Sequence, residues 1–150
     1  MDVEIRFAEK NDLQSVLELR YEMLRIVNND PQMTFSEQFR RATEEYFAEG
    51  EQFTVLALDG KNAIGCATMS MIVLMPTGDH PFGKRGHLMN VYVKECYRRN
   101  GIAERMVDAL LDRIKAMGVT NVSLDATESG RPLYEKLGFT PSEEYMEMNF

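Results

Sequence analysis

Tryptophan is absent from this chain of 150 residues, and only two cysteines, two histidines and five prolines are present. Cys66 and Cys96 are too few for a disulfide scaffold or a cysteine-built zinc site, so no metal is expected. No stretch approaches the ~18 apolar residues that a membrane span requires. The opening Met1-Asp2-Val3-Glu4 lacks the basic and apolar regions of a secretory signal, and the last residues carry no lipidation box. Positive charge is also scarce. Lys and Arg number 17 against 24 Asp and Glu, a formal net charge of -7, which argues against a nucleic-acid-binding face. These absences point to a reduced, cytoplasmic setting with no membrane and no nucleic-acid partner. What is present is ordinary for a globular protein: 44% of residues are apolar, which excludes wholesale disorder. The length suits one domain spanning 1–150, with no repeats and no low-complexity tract.

Periodicity orders the elements. Val3 to Phe7 alternates apolar and polar, as an opening strand does. Asn11 with Gln14 forms a capping box for a helix carrying Leu13, Val16, Leu17, Leu24 and Val27, ended by Asn28-Asn29-Asp30-Pro31. Thr34 with Glu37 opens a second helix, stopped by Gly50. Strands follow over 53–58 and 63–73, with Asp59-Gly60 as the hairpin signal. The turn-rich segment 75–83 reads as a surface loop before a strand over 86–94. The clearest helix covers 102–117, with Ile102, Met106, Val107, Leu110, Leu111, Ile114 and Met117 on one stripe and Gly118 as its cap. A strand over 119–124, a short helix over 131–137 and a last strand over 145–148 complete the order β-α-α-β-β-β-α-β-α-β. This is a mixed α/β or α+β sheet covered on two faces, and 86–124 is a right-handed βαβ crossover with parallel strands.

The junction of that crossover carries the chemistry. Arg98-Arg99-Asn100-Gly101-Ile102-Ala103 takes a strand directly into a strong helix. A helix start has free N–H groups and the positive end of the dipole, which together stabilise an anion. Gly101 lets a ligand approach the main chain, Ala103 keeps the next turn low, and the arginines add positive charge. The residues describe a phosphate or pyrophosphate seat; spacing alone equally allows a plain helix-start turn with solvated arginines. Neither Gly-x-x-x-x-Gly-Lys-Ser/Thr nor Gly-x-Gly-x-x-Gly is present.

Arg98-x-x-Gly101-x-Ala103, after Asn90-Val91-Tyr92-Val93, resembles the acetyl-coenzyme A motif of the GNAT superfamily of N-acetyltransferases. Gly130 to Phe139 is similar to that superfamily's later motif, and the element order matches over nearly the whole chain. The resemblance implies a mostly antiparallel sheet whose central parallel strands splay, with helices on both faces. Coenzyme A would enter the gap, pairing its pantetheine with the main chain of Val91, Tyr92 and Val93. Its pyrophosphate would lie on N–H groups of Arg99, Asn100, Gly101, Ile102 and Ala103. Acetyl-CoA is thus the implied co-substrate, and transfer to an amine the implied reaction.

That reaction makes three demands. An alkyl amine, with a pKa near ~10.4, must lose a proton before it attacks. The developing oxyanion needs N–H donors. The departing thiolate benefits from an acid. Tyr134 stands where the family commonly carries the acid; the alternative is an aromatic that packs at a helix end. His87 occupies the strand position where several family members carry the base, and its imidazole suits proton acceptance near neutrality. The other reading of His87 is a plain strand-entry residue, with Asn90 or Glu95 orienting a water instead. Glu18 or Glu22 would attract a cationic acceptor. The methionines, Cys96 and His80 read as packing or surface residues. The expected function is an acetyl-CoA-dependent N-acetyltransferase acting by direct attack on a small-molecule primary amine, with a homodimer possible. The alternatives are a non-catalytic acyl-CoA sensor and a peptide or protein N-acetyltransferase.

Overall fold

The computed structural model describes residues 2–150. In chain order it contains β1 (Val3–Phe7), a 3-10 turn (Lys10–Asp12), α1 (Leu13–Val27), α2 (Glu37–Glu49), β2 (Gln52–Asp59), β3 (Asn62–Val73), β4 (Lys84–Val93), a second 3-10 turn (Glu95–Tyr97), α3 (Ile102–Ala116), β5 (Val122–Leu124) and α4 (Arg131–Lys136). The strands lie side by side in chain order. The first three pairings are antiparallel, and β4 pairs with β5 in parallel across the α3 crossover.

Alternation along each strand feeds two cores. Val55, Ala57, Ala67, Met69 and Leu88 point to one face and meet the α3 stripe of Ile102, Met106, Val107, Leu110 and Ile114. Leu56, Leu58, Cys66 and Tyr92 point to the other and meet Val16 and Leu19 of α1. Gly86 is required where β4 passes under α3, because a Cβ there would stand 2.3 Å from Ile114 Cδ1. By contrast α2 buries no residue completely. It is held through Phe39 against Phe35 and Tyr21, and through Tyr46, whose hydroxyl donates to Ser70 Oγ.

Several boundaries differ from the sequence expectation, for local reasons. The capping box before α1 uses Glu9 and Asp12 rather than Asn11 and Gln14. Arg6 grips both oxygens of Asp12, at 2.7 and 3.0 Å, and so sets where the chain turns. For α2 the cap is Ser36, not Thr34: Ser36 is extended and its hydroxyl accepts from Phe39 N at 3.1 Å. The strand expected over 119–124 shortens to Val122–Leu124. The expected strand over 145–148 is not formed: that segment pairs with no strand, and Met146 and Met148 stay 92% and 77% exposed. The splayed parallel pair therefore closes the end of the described sheet rather than sitting at its centre.

Candidate active site

Two backbone events create a gap beside β4. Pairing with β5 covers Gly86, His87 and Leu88 and goes no further. Immediately beyond, Asn90 adopts φ 59 and the register with β3 shifts between Cys66 and Thr68. Two residues, Asn90 and Val91, oppose the single Ala67 there, which is a bulge that bends the strand. The outer main-chain edge of Met89 to Val93 consequently has no strand beside it among the described residues.

At the end of that edge the chain turns sharply into α3. Tyr97 donates to Asp59 Oδ2 at 2.7 Å, anchoring the turn to the β2–β3 hairpin. Arg98 is exposed but tied back: its Nε donates to Val93 O at 2.8 Å and its guanidinium lies 5.9 Å from the Tyr92 ring. Arg99 and Gly101 both take left-handed conformations, φ 64 and 71. Alternation of this kind turns successive N–H groups toward one concavity. No side chain caps α3. Asn100 instead donates its amide to Tyr97 O and Arg98 O. The first helical bond runs from Arg105 N to Gly101 O, so the N–H groups of Ile102, Ala103 and Glu104 have no helical acceptor. A Cβ on Gly101 would meet nothing within 4 Å, so the space beside this residue is open. The donor set fits a diphosphate.

His87 and Tyr134 lie on opposite faces of the sheet. His87 sits on the sheet face covered by α1 and α2. Its Nδ1 lies 2.7 Å from Ser123 Oγ and its Nε2 3.5 Å from Asp125 Oδ2. Tyr134 belongs to the α3-side core, packed edge-on against Phe139 with centroids 5.9 Å apart. Burial raises its pKa above the usual phenol value, which keeps the hydroxyl protonated. The α4 helix that carries Tyr134 is joined to the first turn of α3 by Lys136 and Glu104, 3.0 Å apart. No hydrogen bond links His87 and Tyr134 among the described residues.

The α1 side of the gap departs from expectation. Glu18 is exposed and accepts from Gln14. Glu22 is occupied, accepting from the Tyr92 hydroxyl at 2.5 Å with Lys94 Nζ at 3.7 Å. Burial, and then that contact, push the Tyr92 phenol well above its usual pKa. Glu22 is therefore not a free receptor for a cation, whereas Glu18 has no ion-pair partner among the described residues. Asn90 is buried, its amide donating to Thr68 Oγ1 at 3.3 Å, so it serves the bulge, while Glu95 lies beyond the strand on the exposed 3-10 turn. Sequence reasoning missed Ser123, Asp125 and Arg20. The first two are paired to His87 only through the β4–β5 register, and Arg20 looks like one more helix-surface cation. A cavity of about 570 Å³ at the opposite end of the sheet, lined by Phe7, Leu13, Phe47, Phe53 and Arg113, touches none of the site residues.

A splayed parallel strand pair, an unpaired strand edge and an uncapped helix start with two left-handed residues before it define an acyl-CoA-type transferase architecture. The Acetyltransferase (GNAT) family matches residues 20–139. The chain belongs to that family and is an acetyl-CoA-dependent acyltransferase. It is 27% identical over 149 residues to glucosamine 6-phosphate N-acetyltransferase of Trypanosoma brucei brucei, covering 99% of this chain and 97% of that one. With the Arabidopsis thaliana enzyme of the same name it shares 26% over 104 residues, 69% of this chain and 70% of the other. Among solved structures, an acetyltransferase from Clostridium acetobutylicum with acetyl-CoA superposes with a TM-score of 0.87 at 26% identity, covering 99% of this chain and 96% of that one. No helix among the described residues is long and apolar enough to cross a membrane.

Proposed function

We propose that the chain transfers the acetyl group of acetyl-CoA to a primary amine of a small molecule by direct attack. The observation that carries this reading is the opening of β4 away from β5 directly beside the bare start of α3. Main-chain groups of Val91, Tyr92 and Val93 would hold the pantetheine arm. The segment Arg98, Arg99, Asn100, Gly101, Ile102 and Ala103 would hold the diphosphate on its N–H groups. Bound there, acetyl-CoA supplies an activated acyl group and a thiol leaving group.

The chain's own residues meet the three demands. His87 takes the amine proton at Nδ1 through the Ser123 hydroxyl, and Asp125 faces the imidazolium that results. A free N–H on the unpaired edge of β4 faces the developing oxyanion. The Tyr134 hydroxyl, held protonated by burial, donates to the leaving sulfur. Direct attack is favoured over a thiol-bound intermediate because Cys66 is fully buried and its thiol is pushed up to about 12. Cys96 lies outside the gap, on the 3-10 turn after β4.

Thiol release measured across polyamines, aminoglycosides, amino acids, amino sugars and peptides tests the reading. Turnover on at least one small amine, lost in Ser123→Ala and His87→Gln, is expected. Stabilisation by coenzyme A with no thiol released on any amine would identify an acyl-CoA sensor instead.

A further inference from the structure

Arg20 stands out on the face that the acceptor must enter. It projects from α1 toward the β4 bulge, where Nη1 lies 3.4 Å from Asn90 Oδ1, a long contact and its only hydrogen bond among the described residues. It is partly buried, and no carboxylate lies within ion-pair distance of it among the described residues. The nearby Glu22 is already taken by Tyr92 and Lys94. A guanidinium carries five donors, and withdrawing it from water without an anion is costly. Nε and Nη2 have no partner among the described residues, yet they are not among the sealed, unsatisfied atoms, so they keep some contact with solvent. In a chain of net charge -7, this is a cation with no ion-pair partner among the described residues, set against the β4 bulge.

Its position is informative too. Another guanidinium, Arg85, lies two residues before His87, just ahead of the Gly86–Leu88 stretch paired to β5, and its Nε is buried with no hydrogen-bond partner among the described residues. Arg20 meets β4 on the opposite side of His87, at the residue where the gap begins. Three strand positions separate His87 from Asn90, which at about 3.3 Å per residue is roughly 10 Å along the strand.

We infer that Arg20 is the seat for an anionic group on the acceptor, so that the acceptor is a small molecule bearing both a primary amine and a phosphate or carboxylate. This inference rests on the proposed acetyl transfer to a small amine. The separation along β4 favours an anion several bonds from the amine, as in an amino sugar phosphate or an ω-amino acid, over an α-amino acid. Electrostatically, the anion supplies the partner that Arg20 lacks, and the amine lies toward Ser123 and His87.

The test compares matched amines with and without the anion on wild type, Arg20→Gln and Arg20→Lys. The pairs are glucosamine with glucosamine 6-phosphate, and hexylamine with 6-aminohexanoate; glycine supplies the short spacing. Binding to the coenzyme A-loaded protein is measured by calorimetry, and turnover by thiol release. Charge-assisted hydrogen bonds imply a preference of about 10- to 100-fold for the anionic member in wild type. Arg20→Gln should abolish that preference through KM by weakening the anionic member alone, while Arg20→Lys retains part of it. The two pairs separate a phosphate from a carboxylate. Equal affinity for both members in wild type, or an equal loss for both in Arg20→Gln, would overturn the assignment and leave Arg20 a structural residue. Calorimetry reads the anion preference without catalysis. A preference that persists with no thiol released would therefore sink the acetyl-transfer reading while upholding this one.

Discussion

At the residue scale, the site depends on side chains whose ordinary chemistry is altered by where they sit. Tyr134 keeps its proton because it is half-buried against Phe139. Replacement by Phe removes one hydroxyl and little volume, so kcat should fall about 10²–10⁴-fold, the usual contribution of a general acid, with coenzyme A affinity unchanged. Stopped thiol release and calorimetry on the same variant separate the two quantities. Gly101 differs in kind. Its φ is 71 and the space before it is open, so a side chain there costs the fold about 1–2 kcal/mol of backbone strain and fills the seat. Gly101→Glu should stay folded and lose at least about 100-fold in coenzyme A affinity, a figure that corresponds to two charge-assisted contacts. Unchanged affinity in a folded variant would move the diphosphate elsewhere. Cys66 yields a pH prediction. Its thiol is raised from the model-compound value of 9.0 to about 12 by burial. Above pH 9 the unfolded chain loses this proton and the folded chain keeps it, so stability declines between pH 9 and 12 by about 1.4 kcal/mol per unit. Urea titrations of wild type and Cys66→Ala should diverge in slope over that window and run parallel below it.

At the scale of elements, β4 does the most. It is zipped to β5 over Gly86 to Leu88, bulged at Asn90, and bare along its outer edge beyond. Gly65 of β3 lies opposite Val93, and a Cβ on it would come 2.9 Å from Tyr92 O. That neighbour is backbone and cannot rotate away, so Gly65→Ala should destabilise the fold by about 1–3 kcal/mol in urea and weaken coenzyme A binding as well. The helices were largely legible from their apolar spacing: α3 starts at Ile102 and buries Ile102, Met106, Val107, Leu110 and Ile114 of the expected stripe, with Leu111 partly buried and Met117 exposed past the helix end at Ala116. The caps were less so. Asn11 and Thr34 are sound cap residues by type, but Arg6 selects Asp12 by a two-bond grip and Ser36 wins its place by backbone angle. The strand expected over 145–148 did not form: alternation alone does not make a strand, and this segment joins neither of the free sheet edges.

For the whole molecule, coenzyme A seated as proposed across β4 and α3 would bind the folded chain and not the unfolded one. Saturating coenzyme A should therefore raise the unfolding midpoint, by about 2.7 kcal/mol of stability at 100 times its Kd. Gly101→Glu should remove that rise, and a scanning calorimeter reads both.

By itself, the sequence determined the apolar stripes and hence the order of helices and strands, and the basic, glycine-bearing turn before α3. Those are properties of neighbouring residues, set by local geometry and composition. Tertiary structure alone decided that Ser123 and Asp125 come to His87, that Glu22 is spent on Tyr92 and Lys94, and that Arg20 is left without an acid beside the gap. Each of these depends on strand register and helix docking between distant segments, and a one-residue shift in either would assign different partners.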